Sequence, residues 1–318
     1  MLCVVVATVA SMAIGSERFD IEVGERAVVQ RCATKGLPRS IAVGMPGGFN
    51  YIFDPVRCRL ASVWFGGFLD FRPEATGRGG RRLPLLGVQR DVGTANVPIR
   101  LGEPDRLPET LEFQGYRVEP VTGIPTFLFA VDGVAVEQRV LSFGPDQVTI
   151  ELAFPMGGEQ PRFYRTDPAV VVRVDVSERL KCLAPGLVEI PASEPWAQIQ
   201  LRLKASNESF VRQQPTTNGR LLYAMHCMSC HTLDGGKRIG PSFANLWTAP
   251  RIVTRGGQAE ELMADEAYLR ESILQPQAAI VQGFEQANKM VDITQTLDGP
   301  QIDALVQFLL DLRTNESR

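Results

Sequence analysis

The hydrophobic periodicity of this chain changes character once, and that change limits the folds open to it. From Phe19 to about Leu203 the apolar residues come in short extended runs punctuated by glycine and proline, and no stretch keeps a helical period. Thr126–Val131 faces Val134–Val136 across Asp132-Gly133, a two-residue hairpin signal of the type I′ kind. Gln147–Leu152 alternates strictly, as a half-buried strand does, and Val170–Val176 and Ile199–Leu203 add further strands. Many short strands at this spacing imply a sandwich or a barrel. Lys204–Thr217 is polar and reads as a linker.

After Asn218 the period becomes helical. Asp265–Leu274 begins with acidic residues and ends before Pro276, with Leu269, Ile273 and Leu274 on one face. Asp298-Gly299-Pro300-Gln301 opens a last helix, with proline in its first turn. Ile302, Leu305, Val306, Leu309 and Leu310 then form an apolar stripe. The expected architecture is multidomain, with an N-terminal all-β, sandwich-like domain over residues 16–203. A linker over 204–217 joins it to an all-α domain over 218–318.

The start of that second unit carries the chemistry. In Cys227-Met228-Ser229-Cys230-His231 two thiols stand three positions apart with an imidazole directly after the second. Each thiol can form a thioether to one haem vinyl group, and the histidine then lies beneath the iron. A structural zinc site would need further ligands at matched spacing, but the chain has two histidines, His226 and His231, and no second cysteine pair. A thioredoxin-like redox pair belongs in an α/β unit, which is not the pattern here. One covalent haem c on Cys227 and Cys230, with His231 as proximal ligand, is the expected cofactor.

A distal ligand has to arrive from the other side of the pocket. Met225 and Met228 are tied to the attachment turn, and His226 precedes Cys227 too closely to reach across. Met263 sits among Glu260, Glu261 and Asp265 on what reads as an exposed approach to a helix. Met290 lies in an irregular stretch between two helical segments and is the expected axial ligand; Met263 and an open site are the alternatives. A thioether raises the reduction potential relative to a second imidazole.

From about Gly219 to Leu312 the chain resembles the class I cytochrome c fold, and in particular the cytochrome c domain fused to subunit II of some haem–copper oxidases. The matching residues are Gly219, Leu222-Tyr223, Cys227–Thr232, Gly240–Trp247, Tyr268–Leu274, Pro276, Ile280-Val281, Gly283-Phe284 and Met290. The resemblance implies that the carbonyl of Pro241 accepts the proximal imidazole N–H. It also implies that Tyr223, Phe243, Leu246, Tyr268, Leu269 and Phe284 wall the haem. One departure is Val291, where the family usually has proline after the distal methionine. The likeness to the oxidase subunit does not continue upstream, where transmembrane helices and a copper cluster would be required.

Residues Leu2–Ile14 are almost wholly apolar, and Ala13-Ile14-Gly15 places small residues at the cleavage positions, so residues 1–15 read as a signal peptide. The stretch is too short to span a bilayer. It lacks a basic n-region, and an apolar first strand is the alternative. Periplasmic or secreted localisation follows, with no transmembrane segment after signal removal. Such a compartment permits a Cys32–Cys58 disulfide, although Cys32, Cys58 and Cys182 can equally be three thiols. A net charge of −3 gives no reason to expect nucleic acid as a partner.

The N-terminal half resembles a β-rich domain found in secreted multidomain haem proteins of uncharacterised role, a resemblance that transfers no catalytic residue. Trp64, Phe65, Phe68, Asp70, Arg72 and Arg78 can make a concave site for a sugar or other small molecule; the alternative is a glycine-punctuated hairpin with a buried tryptophan. The basic run Arg72, Arg78, Arg81, Arg82 and Arg90 can dock an acidic partner or be a solvated loop. This half contains no histidine, which excludes a Ser/His/Asp arrangement. The expected function is single-electron transfer with a redox protein partner, a dehydrogenase or a terminal oxidase, and no catalytic residue. The alternatives are a haem-based sensor with a labile Met290 and the electron-accepting module of a substrate-oxidising enzyme.

Overall fold

A computed structural model describes residues 20–34, 36–75, 81–94, 96–144, 146–177, 179–204, 217–228, 230–236, 240–285, 290 and 297–315. The signal-peptide segment and almost all of the linker lie outside the described residues, as do Arg78 and Val291.

The chain opens with strands β1 (Asp20–Ile21), β2 (Val28–Thr34), β3 (Leu37–Gly44), β4 (Phe49–Asp54) and β5 (Arg59–Asp70), followed by one helical turn, α1 (Arg72–Ala75). Short strands β6 (Leu85–Gly87), β7 (Arg90–Asp91) and β8 (Ile99–Leu101) lead into a long meander. It consists of β9 (Leu111–Val118), β10 (Pro125–Val131), β11 (Val134–Gly144) and β12 (Gln147–Ala153). Next come β13 (Arg162–Arg165), β14 (Val171–Val176), β15 (Lys181–Ala184), β16 (Leu187–Ile190) and β17 (Trp196–Leu203). The C-terminal region holds α2 (Gly219–His226), β18 (Arg251–Arg255), β19 (Gln258–Leu262), α3 (Glu266–Leu274), β20 (Ile280–Val281) and α4 (Gly299–Asn315).

The first seven strands form one antiparallel sheet with the path β1-β5-β4-β3-β2, and β6 and β7 also pair β5. A six-stranded sheet runs β14-β17-β12-β11-β10-β9, and a smaller one runs β15-β16-β13-β8. Alternation decides which side chains face inward. Along β10 every second residue, from Pro125 through Phe127 and Phe129 to Val131, is buried. The first sheet meets that face through Phe53, whose ring stacks on Phe127 with centroids 3.8 Å apart. The hairpin turn at Asp132-Gly133 has both residues at positive φ, 45° and 79°, as a type I′ turn requires.

Trp64 and Phe68 lie inside the β-rich region, with near-parallel rings 6.1 Å apart and the indole N–H donating to the Gly67 carbonyl at 3.0 Å. Asp70 is buried and paired with Arg72. These residues therefore build a hairpin with a buried tryptophan rather than an open concave face. Cys32, Cys58 and Cys182 are unpaired thiols, so no Cys32–Cys58 bridge forms. Among the described residues no helix is long and apolar enough to cross a membrane.

The C-terminal region is not all-α. Among the described residues three helices share it with a small antiparallel sheet, β19-β18-β20, whose hairpin turns at Gly256-Gly257, both at positive φ. The hairpin is tied to α3 by Arg255, which donates to both carboxylate oxygens of Glu271 at 2.6 and 2.8 Å. α3 starts where Asp265 caps it by accepting from the Tyr268 amide at 2.7 Å. At the start of α4, Asp298 and Gln301 exchange side-chain and backbone hydrogen bonds at 2.9 and 3.0 Å, a capping box. α2 packs both on α4 and on β11 of the six-stranded sheet. Arg220 of α2 also lies 3.6 Å from Glu25.

Candidate haem-attachment site

The attachment turn grows directly out of α2. The Cys227 amide donates to the Tyr223 carbonyl at 2.9 Å and the His231 amide to the Cys227 carbonyl at 2.8 Å, so one further helical turn carries the chain through the motif. Cys227 is buried and Cys230 half-buried, and both are free thiols. Burial pushes the Cys227 thiol up to about 12, with Cys230 adding to the effect. The Cys227 sulfur is therefore held as the neutral thiol. Among the described residues, no three His, Cys, Asp or Glu side chains gather at a position that could hold a metal ion directly.

His231 is held from several sides. Its Nδ1 lies 2.8 Å from the Pro241 carbonyl, and since a carbonyl only accepts, Nδ1 carries the proton and Nε2 keeps its lone pair. Burial holds the imidazole below its ordinary pKa; Arg251 acts in the same direction and the Pro241 bond against it. Phe243 stacks on the ring at 4.6 Å between centroids, with 8° between the planes. Gly240 approaches so closely that a Cβ there would sit 2.6 Å from the imidazole Cε1. The Tyr223 hydroxyl donates to the His231 backbone carbonyl at 3.0 Å. An imidazole so clamped presents one fixed unprotonated nitrogen, the form in which histidine binds a metal.

Tyr223, Leu246 and Leu269 belong with Cys227 and Met228 to the large hydrophobic cluster that extends into the β-rich region, and Phe243 and Tyr268 pack against it. Tyr223 also touches Phe308 of α4, centroids 5.5 Å apart. Met290 is half-buried and packs against the same cluster, whereas Met263 is 51% exposed. Phe284 is half-buried in the turn after β20 and does not join the cluster. His226 is half-buried at the end of α2, and burial lowers its pKa to about 4.

Two contributors have roles that the sequence did not reveal. Trp247 donates its indole N–H to the Leu309 carbonyl at 3.1 Å, locking the segment after the motif to α4. Arg251 opens β18 and donates to the Ser242 carbonyl at 3.0 Å, yet its Nε is buried without a hydrogen-bond partner among the described residues. A buried guanidinium donor left over beside the loop that carries Pro241 fits a site built for a group with anionic oxygens, such as a haem propionate. The only available sequence signal was an arginine at the head of the apolar run Ile252-Val253.

The Cytochrome c family model matches residues 216–313. The C-terminal part of the chain is therefore a cytochrome c domain, preceded by a β-rich region. No curated protein matches the chain. Cytochrome c domains bind haem c covalently and transfer electrons to redox partners, typically outside the cytoplasm.

Proposed function

We propose that this protein is a monohaem c-type cytochrome of the periplasm or cell exterior, working in single-electron transfer. Cys227 and Cys230 take the two thioether bonds and His231 is the proximal ligand. Met290 is the distal ligand, and Pro241, Tyr223, Phe243, Leu246, Tyr268 and Phe284 line the pocket. The observation that carries this reading is the His231–Pro241 contact at 2.8 Å, which fixes the tautomer and aims Nε2. Bound haem would supply an iron that changes oxidation state by one electron.

The chain's own residues exclude water and fix the ligand. Phe243 and Tyr223 cover the imidazole and its backbone, and Trp247 closes the segment onto α4. Arg251 offers its spare Nε to a propionate. Met290 is preferred to Met263 because it is half-buried and packs against the hydrophobic core, whereas Met263 is exposed. In this reading residues 1–15 are a removed signal peptide and residues 16–203 a docking or ligand-binding module. Residues 204–217 are the linker and residues 218–318 the cytochrome. The partner is a dehydrogenase or a terminal oxidase.

The test compares optical spectra of wild type and Met290→Ala, both expressed with the haem-attachment machinery. The weak red absorption of ferric methionine-ligated haem should appear in wild type and vanish in the variant. A wild type that lacks that band and binds carbon monoxide readily when reduced would overturn the Met290 assignment and bring the sensor reading forward.

A further inference from the structure

We propose that two copies of this chain associate through β14, antiparallel and edge to edge, about a two-fold axis at Val174. β14 is the terminal strand of the six-stranded sheet, and its only ladder partner among the described residues is β17. An edge strand of this kind presents unpaired N–H and C=O groups and is a template for another strand. A groove of about 380 Å³ lies between β14 and the β15 strand, lined by Val172, Val174, Cys182 and Leu183. Val172 is 58% and Leu183 49% exposed, so apolar surface borders the free edge.

The occupant follows from the charges on the strand. Arg173 and Asp175 share the outer face, with side chains 68% and 37% exposed and 2.6 Å apart. On its inner side Arg173 is placed directly opposite Arg202 of β17, a like-charge pairing that disfavours the sheet. An antiparallel copy centred on Val174 sets Arg173 against Asp175 of the partner subunit and Asp175 against the partner's Arg173. Val172 then faces Val176 of the partner subunit. Shifting the axis by one residue either way would place arginine against arginine or aspartate against aspartate. The bulge lies at Val172, leaving Arg173–Val176 in regular register for such pairing. Val174 and Val176 align with the inward-facing Leu201 and Ile199, so the two sheets would also join their apolar faces. One patch meets itself, as a two-fold dimer requires.

Sedimentation equilibrium on the full haem-loaded chain tests this, using wild type, R173D, D175R, the double variant and an equimolar mixture of the two single variants. Wild type should dimerise with rising concentration. Each single variant opposes like charges twice across the axis and should dissociate about tenfold or more readily. The double variant restores opposite charges, and so does the mixture, because each single variant then meets its complement. Recovery in the mixture also shows that both single variants are folded. A wild type that stays monomeric at every soluble concentration overturns the proposal and leaves the edge to a strand of another protein. A dimer indifferent to both single substitutions, or a mixture that remains monomeric, overturns it as well.

Discussion

Gly219 in the first turn of α2 lies against the Ala304 carbonyl of α4 with no room for a side chain between them. A Cβ at position 219 would run into that carbonyl and into the Phe308 Cβ at 2.6 Å. The crossing of these helices carries Tyr223 and Phe308 into contact and so seats the attachment turn. Gly219→Ala should therefore cost about 2–3 kcal/mol, read as a lower denaturant midpoint for the haem-loaded chain. An unchanged midpoint would mean that α4 moves aside freely.

Gly240→Ala addresses the imidazole itself. The new methyl group would press on Cε1 and Nδ1 of His231, at 2.6 and 2.9 Å, and displace the ring from the Pro241 carbonyl. Losing that hydrogen bond makes the imidazole a weaker donor, which favours the reduced state of a bound iron. The reduction potential should rise by about 60 mV, equivalent to a tenfold change in preference. Voltammetry of both proteins decides it, and a potential that does not move would detach the Pro241 bond from the electronics of the site.

Arg139 and Glu151 pair at 2.7 Å across β11 and β12, with only 5% and 2% of their side chains exposed. Both sit on the face of the six-stranded sheet opposite Phe127 and Phe129, Arg139 on β11, against which α2 packs, and Glu151 on neighbouring β12. Glu151→Leu strands a buried guanidinium and should cost about 3–5 kcal/mol, whereas replacing Arg139 with Met as well should return most of that loss. A double-mutant cycle by urea unfolding measures both. Full stability of the single variant would show that water already reaches the pair.

Glu271 gives a pH prediction. The Arg255 guanidinium holds its carboxyl below the usual carboxylate range, chiefly through their hydrogen bonds, with Glu260 also facing Arg255. Because the folded pKa lies under the unfolded one, this contribution is present above the ordinary carboxylate range. It is lost as pH falls through the folded value. The melting temperatures of wild type and Glu271→Gln should differ at neutral pH and converge in acid. A gap that stays constant down to acid pH would assign the loss to packing.

How far the sequence spoke depended on whether the signal was local. The Asp132-Gly133 turn and the starts of α3 and α4 are decided within a few residues and were legible. The attachment motif was legible for the same reason. β12 was legible as a strand but not as half-buried, because Thr149 and Glu151 on its other face are buried as well. Two glycines at positions 256 and 257, between runs rich in charge, hid the β18–β19 hairpin, because Glu260 and Glu261 interrupt any alternating pattern there. Trp64 read as surface or interior, because besides its neighbours Phe68 and Leu69 it is buried by Ala42, Ile52 and Leu83, which come from other strands of the same sheet and from the loop beyond it. The docking of α2 on β11 and the Arg139–Glu151 pair beneath are long-range in the same sense. A polar stretch between two folding units says nothing about whether those units touch.

Trp247, reaching from the segment after the motif to the Leu309 carbonyl, finishes what the α2–α4 crossing begins. The entrance and the exit of the cytochrome domain stand side by side, like the two ends of a clasp. Because α2 also rests on β11, this clasp ties the haem seat to the β-rich region as well as to α4.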